Sequence, residues 1–537
     1  MGQRLLREPD SVLSAAGILG ASACILALAV FPTQSDDLLL YLTMGRWIVE
    51  RGSLPAIDPF VYAQLGTPLH LLHEWGTFLV SWLVFALGGW SALIAAKAAL
   101  ILFAFLLPFA VARTFGYASF LLPLCGVFSF YTVSYRFVER GSLTTDVLTA
   151  ALTAALLVSQ TRPLNARLRY GIPVVFLFWI NLHGGFFIGL TILALWCVAE
   201  AGHSLAHRGA PGSARGLWDA LGILLASLLA CLVNPRGIAG LLFPLTGAIF
   251  NPAFVFLRTN NNEFKSPFDP LFASFVWPYL TFLAICSAVA IVVFGLCLRR
   301  RQRLPLFEVL VLGLLAYLAL SATRFMLTVV FTSCVVFAAL LGRSGFLNLA
   351  TAKGLPKKLL RIAAALTAAG CVLLTVRVAY AGYRSLLGAR RIGSGIDTAY
   401  FPVRAVEFID AANLTGNIFN QDRFGAYLIW KWQGKRPIFF HGFVSDAEHY
   451  KEYFTVSQSP RGFDALVRKY DIRVFLLATV LPTSPDMPYV FWRLYSDPAW
   501  RLVYVDPTAE VFVKDAPETQ EIIRRFGLRV QLPSFQR

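Results

Sequence analysis

Two adjacent carboxylates, Asp36 and Asp37, stand a few residues beyond the first long apolar run of the chain. Acidic side chains placed where a helix leaves a bilayer are positioned to meet a substrate whose apolar part lies in the membrane and whose polar part lies outside it. The loop that carries them, 33–75, also holds Asp58, His70, His73 and Glu74. Further along, Arg136, Arg140 and Asp146 bracket the start of another apolar run, and Arg324 lies between two such runs. A carboxylate in this setting can take a proton from a hydroxyl or amine, and a guanidinium can hold a phosphate through two parallel hydrogen bonds. Arg324 is the first candidate for a phosphate ligand, with Arg136, Arg140, Arg258 and Lys265 competing. His73, Glu74 and His183 are candidates for hydrogen bonding to substrate or for proton relay. Plainer roles stand beside these: one of Asp36 and Asp37 as a helix cap, Asp58 before Pro59 as a turn residue, Asp146 as a partner of Arg140, and Arg324 as a snorkelling anchor. His70, His73, Glu74 and His183 lack the HExxH spacing of a zinc site, so no metal ligand is assigned.

The elements that must position these groups are set by composition. Of 537 residues, 57% are hydrophobic and 14% charged, and the mean hydropathy is +0.64, outside the usual balance of a soluble globular chain. Apolar runs of roughly 17–25 residues, the length needed to cross a bilayer as helix, recur to about residue 385. The formal charge of +17 sits in short Arg- and Lys-containing loops between these runs, which reports membrane orientation rather than nucleic-acid binding. All eight cysteines lie in the apolar part and behave as small hydrophobes, without a disulfide framework or a CxxC metal motif.

Arg4 and Arg7 before the run 12–31 have the flanks of a signal anchor entering from the cytoplasm. The stretch 69–87 is expected to be interfacial or re-entrant. The expected crossings are 12–31, 91–112, 117–135, 142–159, 171–182, 184–201, 217–234, 273–298, 305–322, 325–342 and 361–383. About 11 crossings from an inside N-terminus place the Arg-rich loops at 113, 162–169, 208–215, 299–303 and 343–361 inside and the C-terminal region outside. The expected domains are a transmembrane domain, 1–390, with outer loops 32–90 and 235–272, and a soluble extracytoplasmic α/β domain, 391–537. In the latter, helices are expected at 403–412 and 463–470. Strands are expected at 417–420, 437–441, 473–478, 500–506 and 509–514, in a partly parallel sheet.

The first loop resembles the signature of the GT-C superfamily of polytopic glycosyltransferases that use polyprenyl-phosphate-linked sugars: carboxylates soon after the first span, then interfacial helices in a long external loop. Arg140-Gly141-Ser142-Leu143-Thr144-Thr145-Asp146 resembles a segment of the aminoarabinose and protein O-mannosyl transferases. More closely, the chain is similar to a group of bacterial GT-C-like membrane proteins. That similarity is carried by Gly45-Arg46-Trp47-Ile48, Pro55-Ala56-Ile57-Asp58-Pro59-Phe60, His73-Glu74-Trp75, Asn181-Leu182-His183-Gly184-Gly185, Asn234-Pro235-Arg236-Gly237, Arg324-Phe325 and Phe424-Gly425-Ala426-Tyr427-Leu428-Ile429-Trp430, in this order. Leu38, Leu39 and Leu40 depart from the aromatic residues that related sequences often carry there.

The resemblance implies an α-helical polytopic GT-C-like membrane protein of the bacterial inner membrane. It implies an inverting transfer of a sugar from a polyprenyl-phosphate donor to an envelope glycan, lipid or protein, with Asp36 or Asp37 as base; Asp146, at an expected outer helix end, and Asp58 are the next candidates. Some members use a divalent cation and others do not, so the cofactor stays open. The partners expected are the lipid-linked donor, the acceptor and membrane lipids, with no nucleic acid. The alternatives are a transporter or flippase of lipid-linked glycans, and a GT-C-like scaffold without catalysis.

Overall fold

The computed structural model describes residues 11–64, 66, 74–115, 121–161, 164–206, 214–250, 259, 261–270, 273–300, 302–344, 357–385, 388–442, 446–458, 460–480 and 488–529. The described chain forms two compact units. One comprises 1–32, 91–245 and 258–394; the other comprises 33–90, 246–257 and 395–537.

The first unit is built from apolar helices: α1 Ser11–Ala29, the second half of α3 Trp75–Thr114, α4 Leu121–Thr132, α5 Gly141–Ser159, α6 Ala166–Leu182, α7 Phe186–Ala206, α8 Arg215–Ala230, α9 Ile238–Phe250, α10 Ala273–Arg299, α11 Leu306–Ser321, α12 Met326–Ser344 and α13 Lys357–Ala381. Among the described residues, five helical segments are long and apolar enough to cross a membrane: Trp75–Thr114, Gly141–Ser159, Phe186–Ala206, Leu280–Arg299 and Thr323–Ser344. The other expected crossings coincide with shorter or less apolar helices. Of the stretch expected to cross at 117–135, residues 117–120 lie outside the described residues, and the rest holds α4, followed by a turn at Ser134–Arg136. Helix α3 breaks at Gly88 and Gly89, where Gly89 has φ +59°, and this break separates the expected interfacial stretch from the expected crossing at 91–112. Residues 69–73 of that stretch lie outside the described residues.

Helix α12 is predominantly apolar and is buried continuously from Met326 to Leu340, as a helix hydrophobic on most of its circumference must be. It packs against α5, α10, α11 and α4, while α1 lies against α13 and α4. After α13 comes a hairpin, β1 Tyr383–Ser385 and β2 Gly388–Arg390, with Tyr383 opposite Arg390. Arg390 is 2% exposed. Its guanidinium donates to the carbonyls of Ser134 (2.5 Å) and Tyr135 (2.9 Å) and lies 3.9 Å from the centre of the Phe31 ring. Lys97, in the middle of an apolar helix, sits 3.7 Å from the same ring and pairs with Glu139 at 2.8 Å. Two cations on one aromatic ring, each with its own acceptors, thus fix the 134–139 segment from opposite ends of the sequence.

The second unit starts with α2 Asp36–Arg51. Ser35 is its N-cap, accepting from the Leu38 N–H at 3.3 Å, and Gly52 ends it at φ +65°. Leu38, Leu39 and Leu40 are buried to 1% or less, and Leu39 and Leu40 build the core of this unit with Phe78, Phe401, Phe424 and Tyr427. The C-terminal part contains α14 Val403–Ala411, β3 Asn417–Asn420, α15 Asp422–Trp432, α16 Ala447–Gln458, α17 Pro460–Tyr470, β4 Ile472–Ala478, α18 Tyr489–Ser496, β5 Trp500–Val505, β6 Ala509–Lys514 and α19 Gln520–Phe526. The sheet order is β3-β4-β6-β5, with β3 parallel to β4 and the other pairs antiparallel, a partly parallel sheet as expected. The strand expected at 437–441 does not form. The Asn420 amide takes its backbone groups instead, donating to the Phe440 carbonyl (2.8 Å) and accepting from the Phe439 N–H (3.0 Å), so only Ile438 pairs, with Val61.

Two glycines from the sequence motifs mark close backbone approaches. A Cβ at Gly45 would lie 2.1 Å from the Phe78 carbonyl oxygen, and one at Gly425 the same distance from that of Phe440. Asp58, 3% exposed, ties the 58–61 segment to the 438–441 segment. Its carboxylate accepts from the Phe60 N–H (2.8 Å) and pairs with His441 Nε2 (3.2 Å). Burial on its own would raise the Asp58 pKa; the hydrogen bond and charge of His441, with the Phe60 and Val61 N–H groups, outweigh that and lower it.

Gly45→Ala is expected to lower stability by about 1–3 kcal/mol, since neither the backbone of Phe78 nor that of α2 can yield cheaply; thermal unfolding of the detergent-solubilised protein checks this, and an unchanged midpoint contradicts the contact. Asp58 has a folded pKa below its unfolded one, so its contribution is present above the unfolded value near about 3.9 and is lost as pH falls through the lower folded value. Asp58→Asn is therefore expected to be less stable than the parent by about 1–3 kcal/mol at pH 7. The gap should close in melting curves taken at progressively lower pH below that value.

Candidate active site

In the first unit the turn after α4, the start of α5 and the approach to α12 bring three guanidiniums to one carboxylate. Arg136 leaves the turn that Arg390 holds by its carbonyls, and Arg140 is the residue just before α5. Both direct Nη1 to Oε1 of Glu263, Arg136 at 2.7 Å. Arg324 also acts on Glu263 electrostatically and lies 4.4 Å above the Phe264 ring. Burial would raise the Glu263 pKa, but Arg136, Arg140 and Arg324 together outweigh this and hold it far below the carboxylate range.

Glu263 stands on a single 3-10 turn, Asn262–Phe264, capped by the Asn261 side chain, which accepts from the Glu263 N–H at 2.8 Å. Thr323 fastens this turn: its N–H donates to the Lys265 carbonyl (3.1 Å) and its hydroxyl to the Glu263 carbonyl (3.1 Å). Lys265 faces Asp269 at 3.7 Å. Asp146, in the first turns of α5 and 6% exposed, accepts from the Thr328 hydroxyl and has Arg136 and Arg324 as its charged neighbours. His183, between α6 and α7, accepts at Nδ1 from the Gly185 N–H (2.9 Å) and bonds the Thr145 hydroxyl (2.9 Å), which itself accepts from the Trp179 indole (2.8 Å). This chain of bonds orients the imidazole through Nδ1.

In the second unit Asp36 and Asp37 are half-buried in the first turn of α2. There the partial positive charge of the helix N-terminus favours carboxylates. The cap is Ser35, so neither aspartate serves as the N-cap. Helix α15 packs against α2 and begins with Asp422, whose N–H donates to the Tyr453 hydroxyl at 2.8 Å. Tyr450 reports how close these groups are: burial first, then Asp422, Tyr453 and Asp37, push its phenol well up. Glu74, 6% exposed, accepts from the Tyr41 hydroxyl at 2.8 Å, and Asp58 is engaged with His441. His73 and Arg258 lie outside the described residues. Among the described residues no group of three or more His, Cys, Asp or Glu side chains is placed to hold a metal ion.

Of the sequence candidates, Arg136, Arg140, Arg324 and Asp146 gather in the first unit, and Asp36, Asp37, Asp58 and Glu74 belong to the second. The sequence reading missed Glu263. Its signal was a carboxylate in a cation-bearing segment, Asn261-Asn262-Glu263-Phe264-Lys265, of a chain with 47 basic and 30 acidic residues. It also missed Lys97 and Glu139, although a charged side chain inside an apolar run always calls for a named partner.

No protein-family model matches the chain, and no curated protein sequence does. Its fold is similar to that of the Archaeoglobus fulgidus oligosaccharyltransferase in the apo form, with a TM-score of 0.55 and 12% identity over 96% of this chain and 75% of that one. A second structure of that oligosaccharyltransferase, tethered to an acceptor peptide, gives 0.54 at 11% identity over 95% and 74%. ArnT from Cupriavidus metallidurans bound to undecaprenyl phosphate gives 0.52 at 14% identity, covering 95% of this chain and 99% of that one. At these identities the likeness is one of fold alone, the fold shared with the oligosaccharyltransferase and ArnT.

Proposed function

We propose that the chain is an integral-membrane glycosyltransferase that moves a sugar from a polyprenyl-phosphate donor to a glycan, lipid or protein acceptor on the outer face of a bacterial inner membrane. The observation that carries this is the gathering of Arg136, Arg140 and Arg324 at the ends of apolar helices. Guanidiniums converging there make an anion site at the depth where a lipid phosphate lies. The undecaprenyl phosphate bound by ArnT, a protein of similar fold, supports the same ligand class. The surplus of Arg and Lys in the loops at 113, 162–169, 208–215, 299–303 and 343–361 supports an inside N-terminus and an outside C-terminal region.

In this reading a carboxylate, Asp36 or Asp37, takes the proton of the acceptor hydroxyl or amine as that group attacks the anomeric carbon. The bond from that carbon to the phosphate oxygen breaks, and its electron pair leaves on the phosphate, where the arginines stabilise the growing charge. One displacement inverts the anomeric centre. Asp146, beside Arg136 and Arg324, is the second candidate for base. The same sequence features support Lys265, His183, Glu74 and, outside the described residues, His73 and Arg258 as substrate contacts. Asp58 serves there through its grip on the 58–61 segment.

The test is transfer from radiolabelled polyprenyl-phosphate sugars by the purified protein in membranes. Asp36→Asn with Asp37→Asn is expected to lose about 10²-fold or more in rate, and Arg324→Gln a comparable factor through loss of leaving-group stabilisation. Full transfer by the double aspartate variant removes that pair as the base. Absence of transfer by the parent protein from every donor in the panel overturns the assignment as a transferase.

A further inference from the structure

Glu263 stands where the reading above would put a phosphate. It takes hydrogen bonds from Arg136 and Arg140 through a single oxygen, and Arg324 is its third cationic neighbour. Asp146 is a further carboxyl group beside two of these cations, Arg136 and Arg324. A phosphate cannot simply join this set, because it needs the same N–H donors and would lie against like charge. The carboxylate is nonetheless suited to leave. Its side chain is 29% exposed, against 6% for Glu139 in the Lys97 pair. The turn that bears it is docked by bonds to Thr323 and tied to Arg136 and Arg140 through the Glu263 side chain, so displacing the carboxylate loosens the turn while Thr323 keeps it docked.

We propose that Glu263 is an internal stand-in for the donor phosphate, an inference that rests on the arginines being the phosphate site. With no lipid bound, Glu263 neutralises Arg136 and Arg140 and keeps them aimed at one point. An incoming phosphate, whether lipid-borne or free, exchanges with it on those donors. After transfer, Glu263 competes the polyprenyl phosphate product off the arginines. The exchange makes affinity moderate and release fast, since the anion that leaves is always replaced by another.

The test uses the full chain in lipid nanodiscs, with polyprenyl phosphate and inorganic phosphate as separate probes. Glu263→Gln keeps the shape and removes the charge, and is expected to bind polyprenyl phosphate about tenfold more tightly than the parent. In the parent, hydrogen exchange across 259–270 is expected to speed up when polyprenyl phosphate is added. The same rise with inorganic phosphate supports displacement by phosphate alone; a rise confined to the lipid supports it and assigns the site to the lipid-borne group. Equal or weaker binding by Glu263→Gln, or slower exchange on adding polyprenyl phosphate, overturns the stand-in role and leaves Glu263 a structural counter-ion. Arg136→Gln and Arg140→Gln separate the two levels: if both bind polyprenyl phosphate as the parent does, the arginines are not the phosphate site and the inference falls with that reading.

Discussion

A guanidinium at the end of an apolar helix cannot be left alone. Water is scarce there, and an uncompensated charge costs several kcal/mol, on the order of the whole stability of many domains. The first unit answers with one carboxylate, Glu263, shared by Arg136, Arg140 and the field of Arg324. Much of the local architecture follows. The turn Ser134–Arg136 must present its arginine at a fixed point, so its carbonyls are gripped by Arg390. Helix α5 must begin at Gly141 so that Arg140 faces the same point. The 3-10 turn at Asn262–Phe264 must be docked, and Thr323, one residue before Arg324, docks it.

The second unit is governed by a different constraint, the close approach of backbones. Gly45 lets α2 meet the carbonyl of Phe78, and Gly425 lets α15 meet that of Phe440. With α2 and α15 in contact, the carboxylates that open each helix, Asp36, Asp37 and Asp422, are set by the helix starts rather than by flexible loops. Ser35 fixes one start by capping; the Tyr453 hydroxyl fixes the other by taking the Asp422 N–H. Chemistry that needs carboxylates held to within a fraction of an ångström is better served by such rigid starts than by loop side chains.

What was legible in the sequence was whatever obeys local rules. The hydrophobic runs placed α5, α7, α10 and α12, because length and apolarity are properties of a run by itself. Strands β3 to β6 were legible from short β-branched and aromatic stretches between turn residues. The helix α15 was not anticipated, because its sequence, Asp422 to Trp432, mixes buried aromatics with charged residues. The strand at 437–441 failed for a reason no local pattern carries: a side chain twenty residues away, Asn420, took its hydrogen bonds. The candidate site divides in the same way. Arg136, Arg140, Asp146 and Arg324 announced themselves by sitting at helix ends. Glu263 did not, because its importance comes from partners more than 120 positions distant in the chain.

The two charge clusters of the first unit contain similar groups and are suited to different work, and exposure decides which. Lys97 and Glu139 are 1% and 6% exposed. Removing either partner would strand a fully desolvated charge at about 3–5 kcal/mol, so no ligand of ordinary affinity can exchange into that pair, and it is a permanent brace with Phe31 and Arg390. Arg136, Arg140 and Glu263 are 12%, 21% and 29% exposed. That partial exposure leaves the pairs open to exchange with a bound anion. A buried brace and a partly exposed pair can therefore be built from the same residue types within one short segment, 134–140, one end locked by burial and the other left open to solvent.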